Sequence, residues 1–125
     1  MTPKASAQIL VLDRNRRNLE LLTQFLAQQG YQTLPAICLE EVASTLTQFS
    51  KIDLALIDIS GFDSSIWSVC QQLREQEIPF LVISSRHQVA IQQASIAHGA
   101  AGLLGKPLVM REFSQLIRAL LQGSE

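Results

Sequence analysis

The stretch "ILVLDRN", residues 9–15, decides how the chain is read. Four apolar residues end at Asp13, and Arg14 follows at once. An unalternating apolar run of this length is what a strand covered on both faces looks like. Similar runs recur at 33–37, 54–59, 80–83 and 101–104. Helical spacing fills the gaps between them. Leu19, Leu22 and Leu26 share one face, as do Val42, Leu46 and Phe49, and then Ile66, Val69, Cys70 and Leu73. Val89, Ala90, Gln93, Ala94 and Ala97 form a weaker fourth face. Phe113, Leu116, Ile117, Leu120 and Leu121 form the clearest one.

Turn residues agree with this division. Gly30 and Gly99 stand where helix C-terminal caps are expected, Pro79 opens the fourth strand, and Ser64 or Ser65 can cap the third helix. Strict alternation with short connections predicts an α/β fold, a five-stranded parallel sheet doubly wound by helices into a (βα)5 sandwich. No linker, repeat or low-complexity tract interrupts it.

Composition narrows the function classes. The chain has 125 residues, enough for one domain. Its 47% hydrophobic content suits a packed globule, and fourteen glutamines supply much of the polar surface. The net charge of −1 gives no general drive toward nucleic acid or anionic lipid. No apolar run approaches the roughly 20 residues of a membrane span, and "MTPKASAQ" lacks an apolar signal core. A cytoplasmic location is the expectation. Cys38 and Cys70 show no CxxC and no His spacing, which predicts two free thiols.

In doubly wound sheets, ligand sites form at the carboxyl ends of the strands. Strand 1 brings Asp13 and Arg14 there. Strand 3 brings Asp58, strand 4 brings Ser84 and Ser85, and strand 5 is followed by Lys106 and Pro107. Each has a plainer reading. Asp13 can cap helix 1, Ser84 can cap helix 4, Asp58 and Lys106 can form a structural ion pair, and Lys106 can be a solvated loop lysine. Their coincidence at one sheet edge favours a site.

This constellation resembles the receiver domain of two-component response regulators over about residues 8–122. "ILVLD" resembles the family's first strand with its acidic end, and "DLALID" its phosphoacceptor strand. "IPFLVISS" resembles its fourth strand, and "GAAGLLGKPL" its fifth strand and Lys-Pro turn. The resemblance implies a flavodoxin-like receiver fold. It implies Asp58 as phosphoacceptor, Lys106 as the phosphate-contacting lysine and Ser84 as the hydroxyl that bonds the phosphoryl group. It implies residues 1–125 as a single receiver domain without an output domain. A sensor histidine kinase or another signalling protein is the implied partner, through the helix 4–strand 5–helix 5 face, with room for a homodimer and no role for nucleic acid or membrane.

The sequence also departs from that pattern. The family ends its first strand with two adjacent acids that hold Mg²⁺; here the second is Arg14. Asp13 and Asp58 remain as metal ligands, so Mg²⁺ binding is expected to be weak or absent, with no other cofactor. The β3–α3 connection reads "DISGFDSSIW", with Phe62 at the family's proline position and Ile66 at its late glycine, and Leu103 replaces the switch aromatic. Charge predicts that the Arg14 guanidinium fills the metal's place by pairing with Asp58 or Asp13; the alternative is that it lines helix 1 in solvent with Arg16 and Arg17. His87 and His98 are expected in solvated or capping roles, and Trp67 in packing. Three functions follow: a phosphorelay receiver, a phosphorylation-independent pseudo-receiver that binds proteins, or a flavin- or nucleotide-binding domain. The last is disfavoured, because "DRNRRN" after strand 1 offers no glycine cradle for phosphate.

Overall fold

A computed structural model describes residues 7–49, 51–85 and 89–122. The strands are β1 (Gln8–Leu12), β2 (Gln32–Ala36), β3 (Leu54–Asp58), β4 (Phe80–Ser84) and β5 (Gly102–Gly105). The helices are α1 (Arg16–Gln28), α2 (Leu39–Gln48), α3 (Ile66–Glu75), α4 (Val89–Ala97) and α5 (Met110–Gln122). All strand pairings are parallel, in the order β2-β1-β3-β4-β5. This is the doubly wound (βα)5 architecture expected from the alternation. The order reverses between β1 and β3, so the ends of these two strands flank the natural crevice.

Alternation along the strands builds two cores. Ile9, Val11, Leu54, Leu56, Leu81 and Ile83 pack with Leu19, Leu22 and Leu26 of α1 and Phe113, Ile117 and Leu121 of α5. Leu10, Leu12, Ala55, Ile57 and Val82 face the other way, toward Val42 and Leu46 of α2 and Ile66, Val69, Cys70 and Leu73 of α3. Each fully buried large apolar side chain stabilises the fold by roughly 1.5–3 kcal/mol. The central strands therefore read as solid apolar runs because both of their faces are covered. Both cysteines are free thiols. Burial pushes the Cys70 thiol up to about 12, which makes it an inert core residue.

Four local expectations need correction. Phe49 is not on the buried face of α2; it follows the helix in extended conformation and is 37% exposed. Asn15, not Asp13, is the N-cap of α1, accepting from the Asn18 amide at 3.0 Å. Ser65 makes no side-chain cap for α3; instead Asp63 Oδ1 accepts from the Ser65 amide and hydroxyl. The inward face of α4 is Ile91, Ala94, Ser95 and His98, because Ser95 buries its hydroxyl by donating to the Ile91 carbonyl at 2.8 Å. His98 caps the end of α4 through Nδ1 and the Ala94 carbonyl, and its ring stacks on Trp67 at 4.8 Å. His87 and the other residues between Ser85 and Val89, on which the reading of Ser84 as a cap of α4 bears, lie outside the described residues.

Candidate functional site

Asp13 extends the sheet one step beyond β1, its amide donating to the Ala36 carbonyl at 3.1 Å. Its Oδ1 accepts from the Asn15 amide at 2.9 Å, a local turn that leads the chain into α1. Asp58 repeats the device at the end of β3, its Oδ1 accepting from the Ser60 amide at 2.9 Å. Both carboxylates are therefore held by their own chain in fixed rotamers. They are also buried, at 3% and 1% exposure.

The second oxygens differ. Asp58 Oδ2 lies 2.5 Å from Lys106 Nζ and, among the described residues, has no other hydrogen-bond partner. Lys106 is placed by its amide, which donates to the Ser84 carbonyl at 3.1 Å, so β4 and β5 together aim it at β3. Among the described residues Asp13 Oδ2 is buried with no hydrogen-bond partner. Burial raises the Asp13 pKa to about 6, the neighbouring Asp58 charge adds to the rise, and the Asn15 amide opposes it. Ser84 is buried at the end of β4, beside the same edge. Thus Asp13, Asp58, Ser84 and Lys106 all stand at the carboxyl edge of the sheet, with Asp13 and Asp58 at the switch point.

Arg14 departs from both readings made of it. It pairs with neither Asp13 nor Asp58, and it does not merely line α1. Its side chain is exposed and Nη1 donates to the Gly61 carbonyl in the β3–α3 loop. The reason is energetic. Lys106 already meets the Asp58 charge, and drawing a guanidinium into that buried corner would cost desolvation. Ser60, Gly61 and Asp63 are the site-neighbouring residues that sequence reasoning missed. The signal for two of them was present: Asp13-x-Asn15, Asp58-x-Ser60 and Asp63-x-Ser65 share the spacing of a turn closed by a carboxylate.

The donor set decides how the site meets a magnesium ion. The orphan oxygen of Asp13 is a ligand, but Lys106 neutralises Asp58 and the residue beside Asp13 is a fixed cation. Among the described residues no group of three or more His, Cys, Asp or Glu side chains converges. Magnesium demands near-octahedral oxygen coordination. One free carboxylate oxygen beside an acid already paired with Lys106 is a poor donor set for it. Two clefts flank the edge. One of about 220 Å³ is lined by Asp13, Leu22, Asp58, Lys106 and Leu108. The other, about 510 Å³, lies between the β3–α3 loop and α4 and includes Gly61, Phe62, Trp67, Ser84 and Ile91.

A parallel α/β sheet with a buried acid at its switch point and a lysine delivered across it from β5 defines a class. The chain belongs to the response regulator receiver domain family, whose sequence model matches residues 9–118. It is a receiver domain of the kind found in two-component response regulators. It is 32% identical over 126 residues to the response regulator MprA of Mycobacterium ulcerans, across 96% of this chain and 52% of that protein. It is 30% identical to the probable transcriptional regulator ycf27 of Cyanophora paradoxa, across 94% of this chain and 49% of that one. The chain thus spans about half the length of the curated relatives it matches. A CheY-like receiver domain protein from Methanospirillum hungatei superposes with a TM-score of 0.86 at 20% identity, covering 94% of this chain and 95% of that one. At that identity the likeness establishes the fold. No described helix is long and apolar enough to cross a membrane.

Proposed function

We propose that Asp58 is the phosphoacceptor of this receiver domain and that the domain works with an altered metal site. The observation that carries the reading is the contact between Lys106 Nζ and the buried Asp58 carboxylate at the switch point. A carboxylate oxygen of Asp58 attacks the phosphorus of a phosphohistidine or a small phosphodonor. The bond from phosphorus to the donor breaks, and the leaving nitrogen or oxygen keeps the electron pair. Catalysis of such a step is positioning and charge stabilisation. The Asp58 turn fixes the nucleophile, Lys106 moves from the carboxylate to a phosphoryl oxygen, and Ser84 hydrogen-bonds the product. No enzymatic activity is proposed beyond this self-modification and its hydrolysis. Partners, a sensor histidine kinase or another signalling protein, would meet the α4–β5–α5 face, where Val89 and Ile96 are exposed.

A second reading, a pseudo-receiver that binds proteins without phosphorylation, is favoured by the poor fit of the acid pair to magnesium. Incubation with acetyl phosphate and intact-mass measurement separates the two. The expected result is slow, single labelling that is lost in Asp58→Asn and insensitive to Mg²⁺. Lys106→Ala is expected to slow it by about 10²–10³, as loss of one preorganised charge donor does. No labelling under any condition favours the pseudo-receiver. Fast, Mg²⁺-dependent labelling overturns the altered metal site.

A further inference from the structure

Arg14 and Gly61 are 47 residues apart in sequence and joined in the fold. The contact has three parts. The guanidinium donates to the Gly61 carbonyl. The arginine stem lies on the glycine face, so that a Cβ at Gly61 would stand 3.2 Å from Arg14 Cδ. Gly61 also has φ +84°, a conformation that side chains other than glycine rarely adopt. Beyond Gly61 stands Asp63, whose carboxyl is held below its usual range first by the Ser65 hydroxyl and amide and further by the Arg14 charge. The segment from Ile59 to Leu73 contains no lysine or arginine of its own. Arg14 therefore supplies the positive charge that this loop lacks, and a glycine leaves room for its stem.

We propose that Arg14 is a positioning residue that straps the turn after β1 to the loop after β3, and so orders the loop downstream of Asp58 without a metal ion. A hard divalent cation would also draw carboxylate and carbonyl oxygens together at this edge. Arg14 belongs to the turn that follows β1 in the chain itself, so its effect does not depend on an ion from solution. The guanidinium is always charged and weakly hydrated, which suits it to hold an exposed carbonyl. The proposal deepens the reading of Asp58 as phosphoacceptor, since the strapped loop is the one that begins at Asp58. Its physical content is independent of phosphorylation, so it is measured without a phosphodonor.

The experiment is hydrogen-exchange mass spectrometry on the full chain, unmodified and as Arg14→Ala, Arg14→Lys and Arg14→Asp, each with and without MgCl₂. Trp67, the sole tryptophan, lines the same cleft as Gly61 and reports the loop by fluorescence. In the native protein, exchange over residues 59–66 is expected to be slow and unchanged by magnesium. In Arg14→Ala the same segment is expected to exchange about tenfold faster, the effect of losing one charge-assisted hydrogen bond. Arg14→Lys restores part of that protection, since a point charge remains but the planar fork does not. Arg14→Asp brings a third acid to the edge; it is expected to exchange fast without magnesium, regain protection with it, and show a saturable Trp67 response. Unchanged exchange over 59–66 in Arg14→Ala overturns the strap. So does an increase spread equally over α5, and so does added protection of the native loop by magnesium. Failure of Asp58 to accept a phosphoryl group, with the loop behaving as described, overturns the phosphoacceptor reading and leaves the strap standing.

Discussion

Asp13 and Asp58 are near neighbours with unequal partners, and that inequality has a pH signature. Asp58 faces Lys106, whereas Asp13 spends one oxygen on the Asn15 amide and leaves the other buried without a hydrogen bond among the described residues. Burial first, and the Asp58 charge second, raise the Asp13 pKa from 3.8 to about 6. A carboxyl whose folded-state pKa lies above its unfolded value contributes stability below pH 4. That contribution is lost as pH rises through about 6, by linkage at most about 3 kcal/mol. Asp13→Asn keeps an acceptor for the Asn15 amide and removes the charge. Its urea midpoint is therefore expected to exceed that of the native protein at pH 7.5 by an amount worth about 1–3 kcal/mol, and to converge with it near pH 4. A native protein that is the more stable at pH 7.5 would mean that a cation compensates Asp13. Asp13, Asp58, Ser84 and Lys106 were legible in the sequence because each stands at the end of an apolar run. The Arg14 partner was not, since its acceptor is a backbone carbonyl and every residue carries one.

Among the elements, α5 and α4 show what periodicity can and cannot decide. The α5 stripe places Phe113, Ile117 and Leu121 in the core, with Leu116 and Leu120 half-buried around them. On α4 half of the apolar residues are alanine, and its two isoleucines lie five positions apart, on different faces. The sequence thus suggested a face through Val89, Gln93 and Ala97, while the fold chose one through Ile91, Ser95 and His98. Ser95 is the only buried residue of α4, and Val89 and Ile96 stand in solvent at 65% and 75% exposure. Ser95 satisfies its buried hydroxyl within the helix, and what anchors α4 is the Ile91 side chain packed against the α2–α3 core together with the His98 ring laid on Trp67. Few buried apolar contacts mean a low free energy of local opening. Amides of α4 are accordingly expected to exchange at least about a hundredfold faster than those in the middle of α5. Equal protection of the two helices, read by hydrogen exchange, would show that the Trp67–His98 stack holds α4 far more firmly than its burial does.

At the scale of the molecule, one sheet serves two cores. Leu54 and Leu56 face α1 and α5, while Ala55 and Ile57 between them face α2 and α3. A strand cannot lose its packing on one face and keep its place on the other, because the same backbone carries both sets. Phe113 lies deep in the α1–α5 core at 1% exposure and stacks on Phe25 at 6.1 Å. Trp67 packs against the opposite core. Phe113→Ala is expected to cost about 3–5 kcal/mol, the price of a large buried ring and the cavity it leaves. If the sheet couples the layers, urea unfolding of this variant followed by Trp67 fluorescence shifts as far as unfolding followed by far-UV circular dichroism, and both transitions stay coincident. A fluorescence midpoint that holds still while the dichroism midpoint falls would mean that the α2–α3 layer survives without the other. The central strands would then owe their order to one face alone, against the solid apolar runs from which the fold was read.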